Sequence, residues 1–133
     1  MNYLSILFVD DDEIERLKFR KICQEFNANY TIAEAKNGKQ ALDVIYKKNI
    51  SFNLILTDLN MPIMDGFQLL ENLNQHLYTK EIPVVILSSL EDKKNIQSCY
   101  NLGARSYFKK SKDFSTHKDN IISILDYWQK VVF

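Results

Sequence analysis

The feature that most constrains the fold of this chain is a strict alternation of short apolar runs with longer segments of helical spacing. The five runs are rich in β-branched residues and have the length of strands buried on both faces of a sheet. They lie at Leu4–Val9, Tyr30–Ala35, Phe52–Thr57, Pro83–Ser88 and Ser106–Phe108. The alternation predicts an α/β fold, flavodoxin-like and doubly wound (βα)5, with a five-stranded parallel sheet in the order 2-1-3-4-5.

Five helices are predicted from apolar residues that recur at helical spacing. They are expected at Glu13–Phe26, at Lys39–Lys48, from about Asp65, from about Glu91 and at Phe114–Val131. The residues expected to face the core are Ile14, Leu17, Ile22 and Phe26 in the first helix, Ala41, Leu42 and Ile45 in the second, Leu69, Leu70 and Leu73 in the third, and Ile96 with Cys99 or Tyr100 in the fourth.

Size and composition favour one cytoplasmic domain. The chain has 133 residues, no repeat and no linker, so we expect a single domain over residues 1–133. Its 17 basic and 17 acidic residues balance, which gives no electrostatic reason to expect nucleic acid or an anionic membrane as a partner. Cys23 and Cys99 form no CxxC pair and are typical of buried thiols in a reducing compartment. No signal peptide or membrane-spanning run is recognisable.

Chemically reactive side chains follow four of the predicted strands. They are Asp10 and Asp11 after the first, Asp58 after the third, Ser88 at the end of the fourth, and Lys109 and Lys110 after the fifth. In an open parallel sheet, ligands bind at the carboxyl ends of the strands. We therefore expect three carboxylates, a hydroxyl and a lysine to converge at one edge.

Such a convergence predicts a metal-assisted phosphoryl acceptor. Neighbouring carboxylates repel one another, and a divalent cation removes that cost. The all-oxygen ligand set favours magnesium over zinc. A metal ion and a lysine can neutralise the charge of a transferred phosphoryl group. Asp58, after the central strand, is the candidate nucleophile, with Lys110 and the Ser88 hydroxyl as contacts to the phosphoryl oxygens.

Five sequence blocks resemble the receiver domains of two-component response regulators in order and spacing, over essentially the whole chain. They are ILFVDDDEIER at Ile6–Arg16, EAKNGKQAL at Glu34–Leu42, LILTDLNMPIMDG at Leu54–Gly66, IPVVILSS at Ile82–Ser89 and GARSYFKK at Gly103–Lys110. The resemblance implies a stand-alone phosphoacceptor signalling protein that catalyses only its own phosphorylation and dephosphorylation. The implied partners are a sensor histidine kinase or phosphotransfer protein and a downstream protein.

The resemblance also implies a role for each matching residue. Asp58 matches the phosphorylated aspartate, and Asp10 and Asp11 match the acidic pair that binds magnesium with it. Asn60 matches the residue whose main-chain carbonyl is a further metal ligand, and Lys110 matches the phosphate-binding lysine.

Two further matches concern the switch that follows phosphorylation. Ser88 matches the hydroxyl that swings toward the phosphate, and Tyr107 matches the aromatic that turns inward as it moves. The alternative reading of Tyr107 is an aromatic that simply packs in an edge strand. The resemblance also implies that the position two residues after Ser88 influences dephosphorylation. Leu90 occupies it and, being apolar, cannot position an attacking water, so we expect a long-lived phosphate.

The chain departs from the family pattern after the lysine. Where the family has proline after a cis bond, Ser111 follows Lys110. A cis bond without proline costs about 2.5–4 kcal/mol, so the loop either carries that strain or takes a trans path. The Lys-Ser pair and the late Trp128 are similar to single-domain receivers that serve bacterial phytochrome kinases.

The remaining polar residues have structural readings. Asp12 and Asp65 are interpreted as helix caps, and His76 and His117 as solvent-exposed helix residues.

The last helix carries more apolar residues than one buried stripe requires. The stripe is Ile121, Leu125, Trp128 and Val132, and the surplus residues are Ile122, Ile124, Tyr127, Val131 and Phe133. The surplus indicates a partner surface formed with the fourth helix and fifth strand, which a homodimer could also use. The alternative is a helix covered within the monomer.

Two other functions were compared. A phosphorylation-independent protein interaction module is disfavoured because every required side chain is present. A haloacid-dehalogenase-type phosphatase needs a DxDxT motif, which Asp58-Leu59-Asn60 lacks.

Overall fold

The computed structural model describes residues 4–26, 29–47 and 51–131. Within these ranges, five strands alternate with five helices. The strands are β1 (Leu4–Val9), β2 (Tyr30–Ala35), β3 (Leu54–Thr57), β4 (Val84–Ser88) and β5 (Ser106–Lys109). The helices are α1 (Glu13–Phe26), α2 (Gly38–Lys47), α3 (Gly66–Gln75), α4 (Lys93–Asn101) and α5 (Phe114–Lys130).

The sheet confirms the predicted topology. All pairings are parallel and the strand order is β2-β1-β3-β4-β5. β1 and β3 are neighbours in the interior of the sheet, and their carboxyl ends pair in register at Val9 and Thr57. The switch in strand order therefore places the residues that follow these two strands side by side.

The sheet separates two apolar clusters. One face packs against α2, α3 and α4, with Leu7, Ile55 and Ile86 at its centre. The other packs against α1 and α5, with Phe8 and Leu56 at its centre. Strands covered on both faces lack a polar alternation, which explains why their sequences are continuous apolar runs.

Most predicted boundaries lie within two residues of the observed ones. β3 begins at Leu54, because Phe52 packs into the core before the strand and Asn53 hydrogen-bonds Ser5. α4 begins after Asp92, whose carboxylate accepts a hydrogen bond from the Asn95 backbone. The predicted cap at Asp65 is confirmed, because its side chain forms a capping box at the start of α3. Lys48, the predicted end of the second helix, lies outside the described residues.

Two of the four residues predicted to face the core from α1 do so: Ile22 is buried, and Phe26 packs against the core. The prediction was wrong for Ile14 and Leu17, which are 61% and 42% exposed, while Phe19 is buried. The Phe19 ring stacks on Phe8 with centroids 4.2 Å apart, and this contact fixes the helix with another face toward the sheet. On α4, the alternative with Cys99 buried and Tyr100 exposed is the one observed.

Part of the apolar surface of α5 is buried within the monomer. Ile124 is buried beside the predicted stripe, while Tyr127 is exposed. Val132 and Phe133 lie outside the described residues. None of the helices in the described ranges combines the length and apolar character that crossing a bilayer requires.

Candidate functional site

Three carboxylates meet at the carboxyl edge of the sheet, as the sequence predicts. Asp10 and Asp58 follow strands that pair side by side, and the Asp58 backbone N–H donates to Val9 O at 3.0 Å. One carboxylate oxygen from each of Asp10, Asp11 and Asp58 lies within 4.8 Å of the others. The spacing allows one cation to bridge all three.

The three carboxylates differ in their exposure to solvent. Asp10 is 1% exposed, Asp11 is exposed and Asp58 is intermediate. Burial raises the pKa of Asp10, and the neighbouring ammonium of Lys110 opposes that rise. The arrangement is a pocket with a buried floor and an open side at Asp11.

Lys110 closes the pocket from the β5 side. Its Nζ lies 2.8 Å from Asp10 Oδ2 and 3.0 Å from Asp58 Oδ2. Burial disfavours the ammonium, but the attraction of the two carboxylates outweighs it and raises the pKa of Lys110. The neighbouring Lys109 ends β5 and pairs instead with Glu91 at 2.7 Å. Lys110 is therefore the lysine of the site.

The backbone positions Lys110 without a cis peptide bond. Its N–H donates to Ser88 O at 2.7 Å, which continues the β4–β5 ladder by one residue. The described residues contain no cis peptide, so the Lys110–Ser111 bond is trans. Of the two predicted routes, the loop therefore takes the trans path, and Lys110 still reaches both carboxylates.

The chemistry of the donor set fits a hard divalent cation. Three carboxylate oxygens converge and no histidine or cysteine joins the described cluster. Oxygen ligands of this kind suit Mg²⁺, Mn²⁺ or Ca²⁺ better than Zn²⁺. Asn60 is exposed two residues after Asp58, and its carbonyl remains a predicted ligand.

Ser88 and Tyr107 both contact the backbone of Leu90. Ser88 is fully buried, and its Oγ accepts a hydrogen bond from Leu90 N at 3.2 Å. The Tyr107 hydroxyl donates to Leu90 O at 2.6 Å. The predicted switch residues thus hold the same residue of the β4–α4 loop, a link the sequence did not reveal.

The β3–α3 loop is held tightly behind Asp58. Gly66 N–H donates to Leu59 O at 2.9 Å, and a Cβ on Gly66 would lie 2.3 Å from the Asp58 carbonyl oxygen. Only glycine allows this approach. Met64 N–H donates to Pro62 O at 2.7 Å across Ile63, whose φ of 69° makes a γ-turn of the rare, strained kind.

The prediction for His117 was wrong. His117 is 5% exposed because the first turns of α5 pack on α1. Its Nε2 lies 3.8 Å from Glu15 Oε2, and burial lowers the pKa of the imidazole against the opposing effect of that carboxylate. His76 is exposed, as predicted.

Sequence reasoning missed Arg16. Its guanidinium is buried, and Nη1 donates to the carbonyl oxygen of Asp10 at 2.7 Å. The sequence signal was its position at the end of the block Ile6–Arg16, five residues after Asp11. A charged residue at a core-facing position of a helix is uncommon without a partner.

The fold and the site define an α/β domain with a carboxylate–lysine pocket at the switch point of a parallel sheet. The profile of the response regulator receiver domain family matches residues 6–122. The chain therefore belongs to the response regulator receiver domain family, as the sequence blocks predict.

Curated relatives agree with this assignment. The two-component response regulator ORR3 of Oryza sativa subsp. indica is 33% identical over 106 residues, covering 79% of this chain and 78% of that protein. The 3′,5′-cyclic-nucleotide phosphodiesterase regA of Dictyostelium discoideum is 31% identical over 129 residues, covering 96% of this chain. The chain spans 16% of the length of regA.

Solved structures share the fold. The Mn²⁺-bound form of response regulator Rcp1 superposes with a TM-score of 0.90 at 24% identity, covering 98% of this chain and 97% of that one. The phosphorylated cyanobacterial phytochrome response regulator RcpA gives a TM-score of 0.92 at 24% identity, with the same coverage.

Proposed function

We propose that this chain is a receiver that accepts a phosphoryl group on Asp58 from a histidine kinase or phosphotransfer protein, with Mg²⁺ as cofactor. The observation that carries the proposal is the meeting of Asp10, Asp11 and Asp58 around one point, with Lys110 bonded to two of them. Clustered carboxylates at strand ends repel one another and destabilise a fold, so their clustering favours a functional reason.

The proposed chemistry uses Asp58 as nucleophile. A carboxylate oxygen of Asp58 attacks the phosphorus of a phosphohistidine, the new P–O bond forms as the P–N bond breaks, and the released imidazole takes up a proton. Magnesium, when bound, supplies positive charge against the carboxylates and the phosphoryl oxygens. Lys110 Nζ, 3.0 Å from Asp58 Oδ2, is near enough to hold a transferred phosphoryl oxygen.

Asp10, Asp11 and Asp58 are the proposed side-chain ligands of the cation, and the Asn60 carbonyl is the proposed backbone ligand. The donor chemistry of the cluster supports magnesium, and the Mn²⁺-bound form of Rcp1, which shares the fold, supports a divalent ion. Asp12 takes no part, because its carboxylate accepts from Ile14 N at 2.9 Å and caps α1.

The phosphodonor protein is proposed to dock beside the open side of the pocket. Asp11 faces solvent there, and α1 presents the exposed apolar residues Ile14 and Leu17 close by in the chain. Exposed apolar side chains beside a reactive group are typical of a protein contact.

The output is proposed to pass through α4, β5 and α5. Ser88 and Tyr107 hold Leu90, so a movement of Ser88 toward a phosphoryl group would release the loop that leads into α4. Tyr100 on α4 and Tyr127 on α5 are exposed aromatic residues that a downstream protein or a second copy could contact. Sedimentation with and without beryllofluoride distinguishes those two occupants.

The domain is proposed to act as one receiver over residues 1–133, in the cytoplasm. The support for a reducing compartment is that both cysteines, Cys23 and Cys99, are free and buried. An apolar Leu90 supports the expectation of a slowly hydrolysed phosphate, which a chase after removal of the phosphodonor measures directly.

The test is labelling by acetyl phosphate in the presence of magnesium. Asp58→Asn should abolish the hydroxylamine-sensitive label, whereas Asp12→Asn, a matched change beside the pocket, should retain it. Retained labelling of the Asp58→Asn protein, or loss of labelling in the Asp12→Asn protein alone, would contradict the assignment of the nucleophile.

A further inference from the structure

The buried guanidinium of Arg16 is part of the site's surroundings, yet the proposed chemistry makes no use of it. Arg16 lies on α1 and is 8% exposed. Its Nη1 donates to Asp10 O at 2.7 Å, and its Nε lies 3.4 Å from Glu34 Oε1 on β2. The side chain therefore connects the edge strand of the sheet to the loop that carries the acidic pair.

The carbonyl that Arg16 holds belongs to the peptide between Asp10 and Asp11. Among the other hydrogen bonds of this loop, Asp10 N–H donates to Ala35 O at 3.0 Å, and Asp12 N–H donates to Asp10 Oδ1 at 3.0 Å. The first of these bonds positions Asp10, and the second joins Asp10 to Asp12, the residue after Asp11. The bond from Arg16 fixes the plane of the peptide that leads into Asp11, and hence the direction in which Asp11 leaves the strand.

The charge of Arg16 has to be accounted for, because a cation near a cation site repels the ion that binds there. Glu34 lies against Arg16 and also forms a salt bridge with Arg20. A carboxylate at this position reduces the positive charge that Arg16 presents to the pocket. Orientation of the loop is the main effect that remains, because Glu34 offsets part of the charge of Arg16.

We propose that Arg16 is a positioning residue for the cation site: it holds the Asp10–Asp11 peptide so that both carboxylates share one ion with Asp58, and Glu34 offsets its charge. The inference rests on the proposed magnesium site. Groups that orient metal ligands without touching the metal typically change affinity by about 10- to 100-fold when they are removed.

The chain offers a matched control in Arg20. Arg20 pairs with the same Glu34 from the same helix, whereas the hydrogen bond to Asp10 O comes from Arg16. Arg16→Gln and Arg20→Gln each remove one salt bridge with Glu34, and only Arg16→Gln removes the bond to the acidic loop. A purely structural role of the salt bridges predicts similar effects for both variants.

The experiment is a calorimetric titration of the full chain with Mg²⁺, without a phosphodonor. We expect Arg16→Gln to weaken Mg²⁺ binding by about tenfold and Arg20→Gln to change it by less than about twofold. Labelling of Arg16→Gln by acetyl phosphate should recover toward the parent rate at saturating Mg²⁺, because Asp58 and Lys110 are unchanged. Unaltered Mg²⁺ affinity in Arg16→Gln, or equal weakening in both variants, overturns the inference.

A second variant applies if Arg16→Gln does not fold. Glu34→Gln keeps the bond from Arg16 to Asp10 and exposes the pocket to the full charge of the guanidinium. It should weaken Mg²⁺ binding, more strongly at low salt than at high salt. A folded Glu34→Gln protein with parental affinity overturns the inference. A parent protein that neither binds Mg²⁺ nor is labelled refutes the proposed function itself.

Discussion

Replacing Ile63 with glycine should stabilise the protein, although the change removes a hydrophobic side chain. Ile63 is 78% exposed, so its truncation sacrifices little buried apolar area. Its φ of 69° lies in the left-handed region, where a Cβ costs about 1–2 kcal/mol and β-branching makes the fit worse. Glycine loses about 0.5–1 kcal/mol more backbone entropy on folding. The difference leaves Ile63→Gly more stable by about 0.5–1 kcal/mol.

The assay is urea denaturation followed by circular dichroism, with the dependence on urea compared between proteins. We expect a higher midpoint with an unchanged slope, because the surface exposed on unfolding is nearly the same. The melting temperature should rise by about 2–4 °C. Leu77→Gly is the matched control: Leu77 is 82% exposed, and Ile63 is the one non-glycine residue with positive φ in the described ranges.

Leu77→Gly should destabilise the protein, because the same loss of entropy occurs there without relief of strain. An Ile63→Gly protein that is no more stable than the parent, or a Leu77→Gly protein stabilised to the same degree, would refute the reasoning. The pair of variants separates backbone strain from any general benefit of removing an exposed apolar side chain.

Three further predictions follow from the geometry of the site and its surroundings. Gly66→Ala should cost about 1–3 kcal/mol in urea unfolding and reduce labelling of Asp58, because its Cβ would meet the Asp58 carbonyl oxygen at 2.3 Å; labelling at the parent rate would contradict this. The pKa of His117 is lowered by folding, so the unfolded state binds its proton more readily and stability is lost as pH falls below about 6.5; unfolding free energies at pH 7.5 and 5 should therefore differ less in His117→Gln than in the parent. Mg²⁺ at 100 times its Kd should stabilise the parent by about 2.7 kcal/mol, and a thermal shift that persists in Asp11→Asn would argue against the proposed ligands.

The phosphodonor surface gives one more prediction. Ile14→Ser should slow phosphotransfer from the cognate kinase and leave labelling by acetyl phosphate unchanged, because a small phosphodonor needs no protein contact. Leu77→Ser is the control, since Leu77 follows the end of α3 at the opposite edge of the sheet. Equal slowing by both substitutions would count against a contact on α1.

The sheet and the acidic pocket were predictable because they depend on signals that are local in the sequence. Apolar runs of strand length fix β1 to β5, and the residues that follow parallel strands must meet at one edge. The position of Lys110 followed from the resemblance of its block, and its bonds to Asp10 and Asp58 are consistent with it.

The errors concern features that depend on packing between elements. Ile14 and Leu17 have helical spacing suited to burial, yet the stacking of Phe19 on Phe8 sets a different rotation of α1. His117 is buried by α1, which is distant in sequence. Arg16 was missed because its hydrogen-bond acceptor in the site is a backbone carbonyl, which residue identity does not reveal.

The division of the interior by the sheet has a consequence for how far a structural change can spread. Tyr107 and Leu90 pack with the cluster beneath α2, α3 and α4, and Ser88 lies two residues beyond Ile86 on the same side of β4. The rate at which α4 amide protons exchange with solvent should therefore change when Asp58 is modified. The exchange rates of the α1 amide protons should stay the same. The protein would then respond where α4 packs, while α1 on the other face of the sheet serves as a fixed reference.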